Sequence, residues 1–394
     1  MIDGKQFYEE AQSFYDDLVK WRRDLHQIPE LGLDLPKTSE YVQRRLTEMG
    51  IPFTTIVNGS GVVGQIGDGG KCLMLRSDFD ALPIKEESGE PFASTNGCMH
   101  ACGHDLHAAT LLAAARILKA HEAEIPGTVK LFFQPGEEGA DGAKVALEEG
   151  ILENPKVDAA FAMHVIGNVP LGVLVSGERP MAAAYNFRIT VDGLGGHGSM
   201  PEHCIDPITA GVNIHLALQA LVAREISPLT EVALTVGKFQ AGSASNVIPQ
   251  QAVLEGTMRV FDPEVEKFVV KRIGEVAEGV AKTYRCTAKI EVLHNCPAVF
   301  NDKEFMDECN AYAEQIFPEA PKYADMHGMG SEDFGSISQQ CRANYMMIGA
   351  APADGDPRYG QHNPHVRFNE QAIPMAAAIY ASVAMNWLTD HQND

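Results

Sequence analysis

The sequence predicts an α/β protein: a mostly parallel sheet flanked by helices, carrying an inserted ferredoxin-like α+β domain. Three observations predict it. Helical and strand-like hydrophobic patterns alternate over residues 1–184, the rhythm of chains that lay helices against a parallel sheet. From Tyr185 the order becomes β-α-β-β-α-β, the split unit of ferredoxin-like folds. Near Phe300 the first rhythm resumes and ends in a closing helix at about 371–388. The 394 residues are too many for one core, so 1–184 with 298–394 are expected to form one domain and 185–297 a second.

In chain order, amphipathic helices are expected near 7–26 and 38–49, followed by short apolar runs that end abruptly in polar groups. Leu73, Met74 and Leu75 run into Asp78 and Asp80; residues 129–133 run into Glu137 and Glu138; Phe161, Ala162 and Met163 run into His164. The carboxyl ends of strands in an open α/β sheet are where sites are built. In the insert, 185–191 alternates like a half-buried strand. Asp206-Pro207 reads as an N-cap with proline at the first helical position, opening a helix to about 226. Strands at 231–239 and 252–260, a helix opened by Asp262-Pro263 and a strand at 287–293 complete it.

Hydrophobic residues make up 45% and charged residues 21% of the chain, which excludes disorder and fibrous architectures. Thirty-one basic against 53 acidic side chains give a net charge of −22, which repels nucleic acid and anionic membranes. The opening MIDGKQFYEE has no signal-peptide pattern, and the apolar stretches fall short of the roughly 18 residues that span a bilayer. A cytoplasmic protein is therefore expected, with no nucleic-acid or membrane partner. Eight cysteines, at 72, 98, 102, 204, 286, 296, 309 and 341, are too dilute for a disulfide framework and read mostly as small buried hydrophobes.

The densest polar cluster is HACGHDLH, residues 100–107, directly before an apolar helix. Cys102 and His104, two residues apart, suit a zinc-like ion because thiolate and neutral imidazole are both good ligands; a helix N-terminus decorated with capping groups is the alternative. His100 and His107 read equally as partners of ligands, as solvated residues or as ligands. QPGEEG, residues 134–139, sets two acids side by side after a strand, where one can bind metal while the other works as a general base, unless the loop is simply exposed and acidic. His164 and His362 gain interest beside these. Cys102, His104, Glu138, His164 and His362 are ligands enough for two metals sharing a site, with Glu137 left as base, the composition that two-metal hydrolysis wants. In the insert, His197 sits in the glycine-rich GLGGHGS, Asn246 in SNVIP, and Arg259 is able to grip a carboxylate or to pair at the surface. Glu332 and Asp333 in GSEDF form another acid pair, behind the ligands or facing substrate.

CGHDLH, QPGEEG, Met163-His164, GGHGSMP, SNVIP, GSEDF and HNP, with RRDLHQIPELG and LRSDFDALP before them, occur in order from Trp21 to the closing helix. Together they resemble the hippurate hydrolase and N-acyl amino acid amidohydrolase branch of the two-metal aminoacylase and carboxypeptidase superfamily. The resemblance implies a catalytic α/β domain with a ferredoxin-like lid; separately, exposed edge strands or helices of the inserted domain are expected to pair as a two-fold homodimer. It implies two divalent ions per subunit on Cys102, His104, Glu138, His164 and His362; by ligand softness the thiolate favours Zn2+, while the oxygen and nitrogen ligands also accept Mn2+, Co2+ or Ni2+. Glu137 matches the catalytic glutamate, His197 a histidine that holds the substrate carbonyl, and Asn246 and Arg259 substrate-binding positions. The wider superfamily has a His-x-Asp strand end where this chain has Arg76 and Asp78, so which ligand bridges is left open, and Asp78 and Asp80 are placed behind the ligands. The implied reaction is metal-dependent hydrolysis of an N-acyl amino acid. A dipeptidase or carboxypeptidase on the same site, a metal-dependent binding protein without turnover, and a hydrolase using Cys102 as nucleophile are the rivals.

Overall fold

The computed structural model describes residues 4–393; residues 1–3 and 394, the outermost positions of the first expected domain, lie outside the described residues. The chain divides into two compact units: Met1–Pro180 with Phe300–His327 and Ser336–Asp394, and Met181–Val299 with Gly328–Gly335.

The first unit is built on a sheet that is eight-stranded among the described residues. In spatial order it runs Phe53–Ile56, Gly61–Gly67, Thr128–Gln134, Cys72–Asp78, Ala159–Pro170, Arg342–Ala351, Leu174–Val175 and Lys322–Tyr323. The four central strands, Thr128–Gln134 to Arg342–Ala351, are mutually parallel, while both flanks bring in antiparallel pairings. Every residue of Cys72–Asp78 and Thr128–Gln134 is buried, as expected of strands covered on both faces. Helices His104–Ala120 and Ala372–Asp390 pack against each other over this sheet, and their many alanines permit close approach. The register sets Asp78 opposite Gln134 and Met347 opposite His164, so the carboxyl ends of the parallel strands gather at one edge.

Three sequence expectations need correction. The helix expected at 7–26 is two, Gly4–Ser13 and Tyr15–His26, because Phe14 leaves helical angles at φ −122°, ψ 29°. His164 does not end its strand, which pairs onward with Arg342–Ala351 as far as Pro170. One helix, Ala372–Asp390, does have the length and apolar character to cross a membrane, but 89% of that stretch is buried in the core of its own unit. All eight cysteines are free and six are buried.

The second unit is a four-stranded antiparallel sheet in the order Thr287–Cys296, Ala183–Asp192, Gln251–Val260, Val232–Ala241, with helices Pro207–Glu225 and Pro263–Thr283. This is the ferredoxin-like order. Asp206 and Asp262 cap the two helices as their Asp-Pro pairs require: each carboxylate accepts a backbone N–H of the first turn, with proline next in line.

Candidate metal centre

The turn before helix His104–Ala120 fixes the first group of side chains. Gly103 stands at φ +93°, and a Cβ there would lie 2.6 Å from Val165 Cγ2, so only glycine lets this turn press against strand Ala159–Pro170. That close approach brings Cys102 Sγ to 3.4 Å from His164 Nε2. His164 Nδ1 donates to the Val165 carbonyl at 2.6 Å, which leaves the lone pair on Nε2. His104 is held likewise: Nδ1 donates to the Asp80 carbonyl at 2.9 Å, and Nε2, fully buried, has no hydrogen-bond partner among the described residues. A carbonyl can only accept, so each bond selects the tautomer that a metal ligand needs.

The acidic loop supplies the second group. Gly136, at φ +74°, would place a Cβ 2.5 Å from Leu33 Cδ2, so the tight turn after Gln134 also depends on glycine. The two carboxylate oxygens of buried Asp80 accept the backbone N–H groups of Glu137 and Glu138 at 3.1 and 3.0 Å. Glu138 Oε1 is buried and lies 3.2 Å from His362 Nε2 without hydrogen-bond alignment, and Glu137 Oε2 lies 3.9 Å from His104 Nε2. His362 adopts φ +65°, and its N–H donates to Ala101 O at 2.9 Å.

Among the described residues of the first unit three donor sets result, each with its ligand atoms within 4.8 Å of one another: Cys102, His104 and His164; Cys102, Glu138 and His362; His104, Glu137 and Glu138. Cys102 belongs to two of them. A fourth set, Asp78, His104 and His107, meets the same distance but is already committed. His107 Nε2 accepts the Val165 N–H at 2.9 Å and its Nδ1 donates to Asp78 Oδ1 at 2.5 Å, while Arg76 Nη1 donates to Asp78 Oδ2 at 2.7 Å. Asp78 and His107 therefore stand behind His104 and His164. The expectation of a solvated His100 or His107 fails, since both are buried.

The electrostatics suit a cation. Burial opposes charge on His104, but the Asp78 carboxylate, then Asp80 and Cys102, outweigh it and hold its pKa well above the usual histidine range. Cys102 and Glu138 push His362 up to about 10. Burial raises the Cys102 thiol, against the pull of His104 and His362. A buried thiol, orphaned imidazole and carboxylate atoms, and a surplus of anionic neighbours fit one or more divalent ions with borderline-soft character.

In the second unit the structure brings His197 and Asn246 together. Gly196–His197 pairs with Val247–Ile248, His197 opposite Val247, and the Gly198 N–H donates to Asn246 O at 2.8 Å. The Ser199 N–H donates to His197 Nδ1 at 3.2 Å, so the exposed ring carries its proton on Nε2. Arg259 lies on strand Gln251–Val260, donating to Thr257 Oγ1 and, at 3.1 Å, to Met258 O. Among the described residues no carboxylate pairs with it, and burial lowers its pKa, so surface ion pairing does not describe it. Glu332 and Asp333 are buried, and Glu332 Oε1 accepts the Phe334 N–H at 2.9 Å.

Sequence reasoning missed two features: the double duty of Asp80, whose carbonyl and carboxylate hold three neighbours, and the backbone of Val165, against which His107, His164 and Gln361 are all fixed. Each of these bonds has a main-chain atom as one partner, which leaves no signature in residue type.

Comparison with known proteins identifies relatives along nearly the whole chain. Residues 74–386 match peptidase family M20/M25/M40. The chain is 38% identical to IAA-amino acid hydrolase ILR1-like 4 of Arabidopsis thaliana, over 96% of this chain and 87% of the relative. It is 34% identical to hippurate hydrolase of Campylobacter jejuni, over 94% and 97%. The crystal structure of the Bacillus subtilis YXEP protein, described as a dinuclear metal-binding peptidase of the M20 family, superposes with a TM-score of 0.81 at 32% identity, covering 96% of this chain and 99% of that one.

Proposed function

Because the chain belongs to peptidase family M20/M25/M40, we propose that it hydrolyses the amide bond of an N-acyl amino acid, of the hippurate or N-acetyl type, releasing a carboxylic acid and a free amino acid. Cys102, His104, Glu138, His164 and His362 hold two divalent ions, Zn2+ or Mn2+ by donor type, with Co2+ or Ni2+ as chemical equivalents. The observation that carries this reading is the set of ligand atoms left without hydrogen bonds inside a buried cluster, His104 Nε2 and Glu138 Oε1, beside a second acid, Glu137.

When bound, such ions polarise the scissile carbonyl and bring the pKa of water toward about 7. Glu137 then has the residue chemistry of a general base. Its N–H is pinned by Asp80 and its carboxylate lies beside His104, so it takes a proton from the attacking water as the carbon–oxygen bond forms. As the carbon–nitrogen bond breaks, Glu137 returns that proton to the leaving amine. His197, with its proton on Nε2, is the donor to the oxygen of the tetrahedral intermediate, and Asn246 and Arg259 bind the substrate's carboxylate end. An Arg259 without a carboxylate of its own supports that role.

The second unit, taken as a lid, also has the surface for a homodimer. Ile208, Val212 and Leu216 lie along one exposed face of helix Pro207–Glu225, near Phe239 on the sheet's edge strand Val232–Ala241. An exposed edge with an apolar face beside it suits a two-fold pairing. A cytoplasmic location remains the expectation for the protein.

The test is a panel of hippurate, N-acetyl amino acids and dipeptides, with free amino acid measured. Preferential cleavage of the N-acyl substrates is expected. Preference for dipeptides would move the assignment to a peptidase. Turnover that survives complete metal removal would favour Cys102 as a nucleophile instead.

A further inference from the structure

One oxygen, the carbonyl of Val165, ties a side chain of one donor set to the segment that carries a member of another. It accepts His164 Nδ1 at 2.6 Å and, at its second lone pair, Gln361 Nε2 at 2.6 Å. Gln361 immediately precedes His362 in the segment that follows strand Arg342–Ala351. The His362 N–H reaches Ala101 O, and Gly360 packs so closely on Asn168 that a Cβ would lie 3.2 Å from its side-chain nitrogen. His362 must also hold φ +65°, a conformation an unrestrained histidine seldom adopts. The segment is thus fastened to strand Ala159–Pro170 at the one residue that also sets the tautomer of His164.

We infer that Gln361 is a positioning residue: its amide N–H, bonded to Val165 O, fastens the His362 segment in the place where His362, Cys102 and Glu138 meet, and so sets the affinity of the second of two divalent-ion sites. This rests on the ligand assignment made above. Gln361 touches no donor atom of the cluster itself, and its influence runs through backbone geometry. Loss of the bond frees the segment to relax from φ +65°, so the ion that uses His362 should bind more weakly, while the set of Cys102, His104 and His164 keeps its own anchors at Asp80 and Val165.

The test uses the full chain, stripped of metal with a chelator and titrated with Co2+ by calorimetry and visible absorption. It compares wild type, Gln361→Met, which keeps length but loses the donor, and His362→Ala. The expected result is two binding steps in the wild type. In Gln361→Met the second step should be about tenfold weaker, the worth of one net hydrogen bond, with the first step and the unfolding midpoint of the metal-free protein unchanged. His362→Ala should lose the second step. If His362→Ala loses it and Gln361→Met binds both ions like the wild type, the inference falls and the ligand assignment stands. If His362→Ala binds both ions normally, the assignment falls and takes the inference with it. Equal weakening of both steps in Gln361→Met, or a lowered unfolding midpoint without metal, would show a merely structural role and overturn it.

Discussion

Glu137 and Glu138 are neighbours in sequence with different work, and Asp80 is what separates them. By accepting both N–H groups it fixes the loop so that one carboxylate meets His362 and the other approaches His104. Glu137→Gln keeps the shape and removes the base, so kcat should fall by about 10²–10⁴-fold while metal content per chain stays that of the wild type. Parallel kinetics and metal analysis check this; a variant turning over at the wild-type rate would remove Glu137 from the mechanism. The adjacency of the acids was legible in the sequence, because unlike environments for like charges are a chemical pattern. The hydrogen bonds that give each His its tautomer were not, since the acceptors are the carbonyls of Asp80 and Val165.

At the scale of elements, strand Cys72–Asp78 carries a charged pair through a fully buried layer. Arg76 donates to Asp78 and, through Nε, to Gln134 Oε1 at 2.9 Å. Arg76→Met would leave the buried Asp78 carboxylate with only the His107 and His104 imidazoles beside it, and should cost about 3–5 kcal/mol of stability. Both tryptophans, Trp21 and Trp387, lie in the first unit, so denaturant unfolding followed by tryptophan fluorescence reads this loss directly. Helix Tyr15–His26 carries a second buried network. His26 Nδ1 bonds Asp105 at 2.8 Å, and its Nε2 lies 3.0 Å from Glu86, while Arg22 Nε donates to Asp105 at 2.7 Å. Burial raises the Glu86 carboxyl, but His26 overcomes it and brings the pKa to about 2. That contribution is complete above the ordinary carboxylate range of about 4.3 and is lost as pH falls through about 2. Burial lowers His26, yet Asp105 and Glu86 outweigh it, so its own share is complete below about 6.5 and lost as pH rises through the elevated value. Glu86→Gln should therefore cost about 2 kcal/mol near pH 6 and converge on the wild type near pH 2; a gap independent of pH would contradict the pairing. Element order was readable because hydrophobic period distinguishes helix from strand. The break at Phe14 and the run of Ala159–Pro170 past His164 were not, since the first is a local dihedral change and the second depends on a partner strand about 180 residues away in sequence.

At the scale of the whole molecule, the change of rhythm at Tyr185 and its reversal near Phe300 made the two-part organisation legible, whereas the membership of Gly328–Gly335 in the second unit was not, because eight residues carry no period of their own. The binding chemistry also has a global consequence. Ions that bind only the folded first unit stabilise it by mass action, about 4 kcal/mol at a thousandfold excess over Kd, so the tryptophan-reported unfolding midpoint should rise when metal is restored to chelated protein. The central claim is that hydrolysis of N-acyl amino acids depends on the ions held by the first unit. The most direct measurement is release of amino acid from hippurate by chelator-treated protein as Mn2+ or Zn2+ is added back in known equivalents. No turnover is expected without metal, and recovery should level off at two ions per chain; full turnover in the stripped protein, or recovery complete at a single ion, would contradict a two-ion hydrolase.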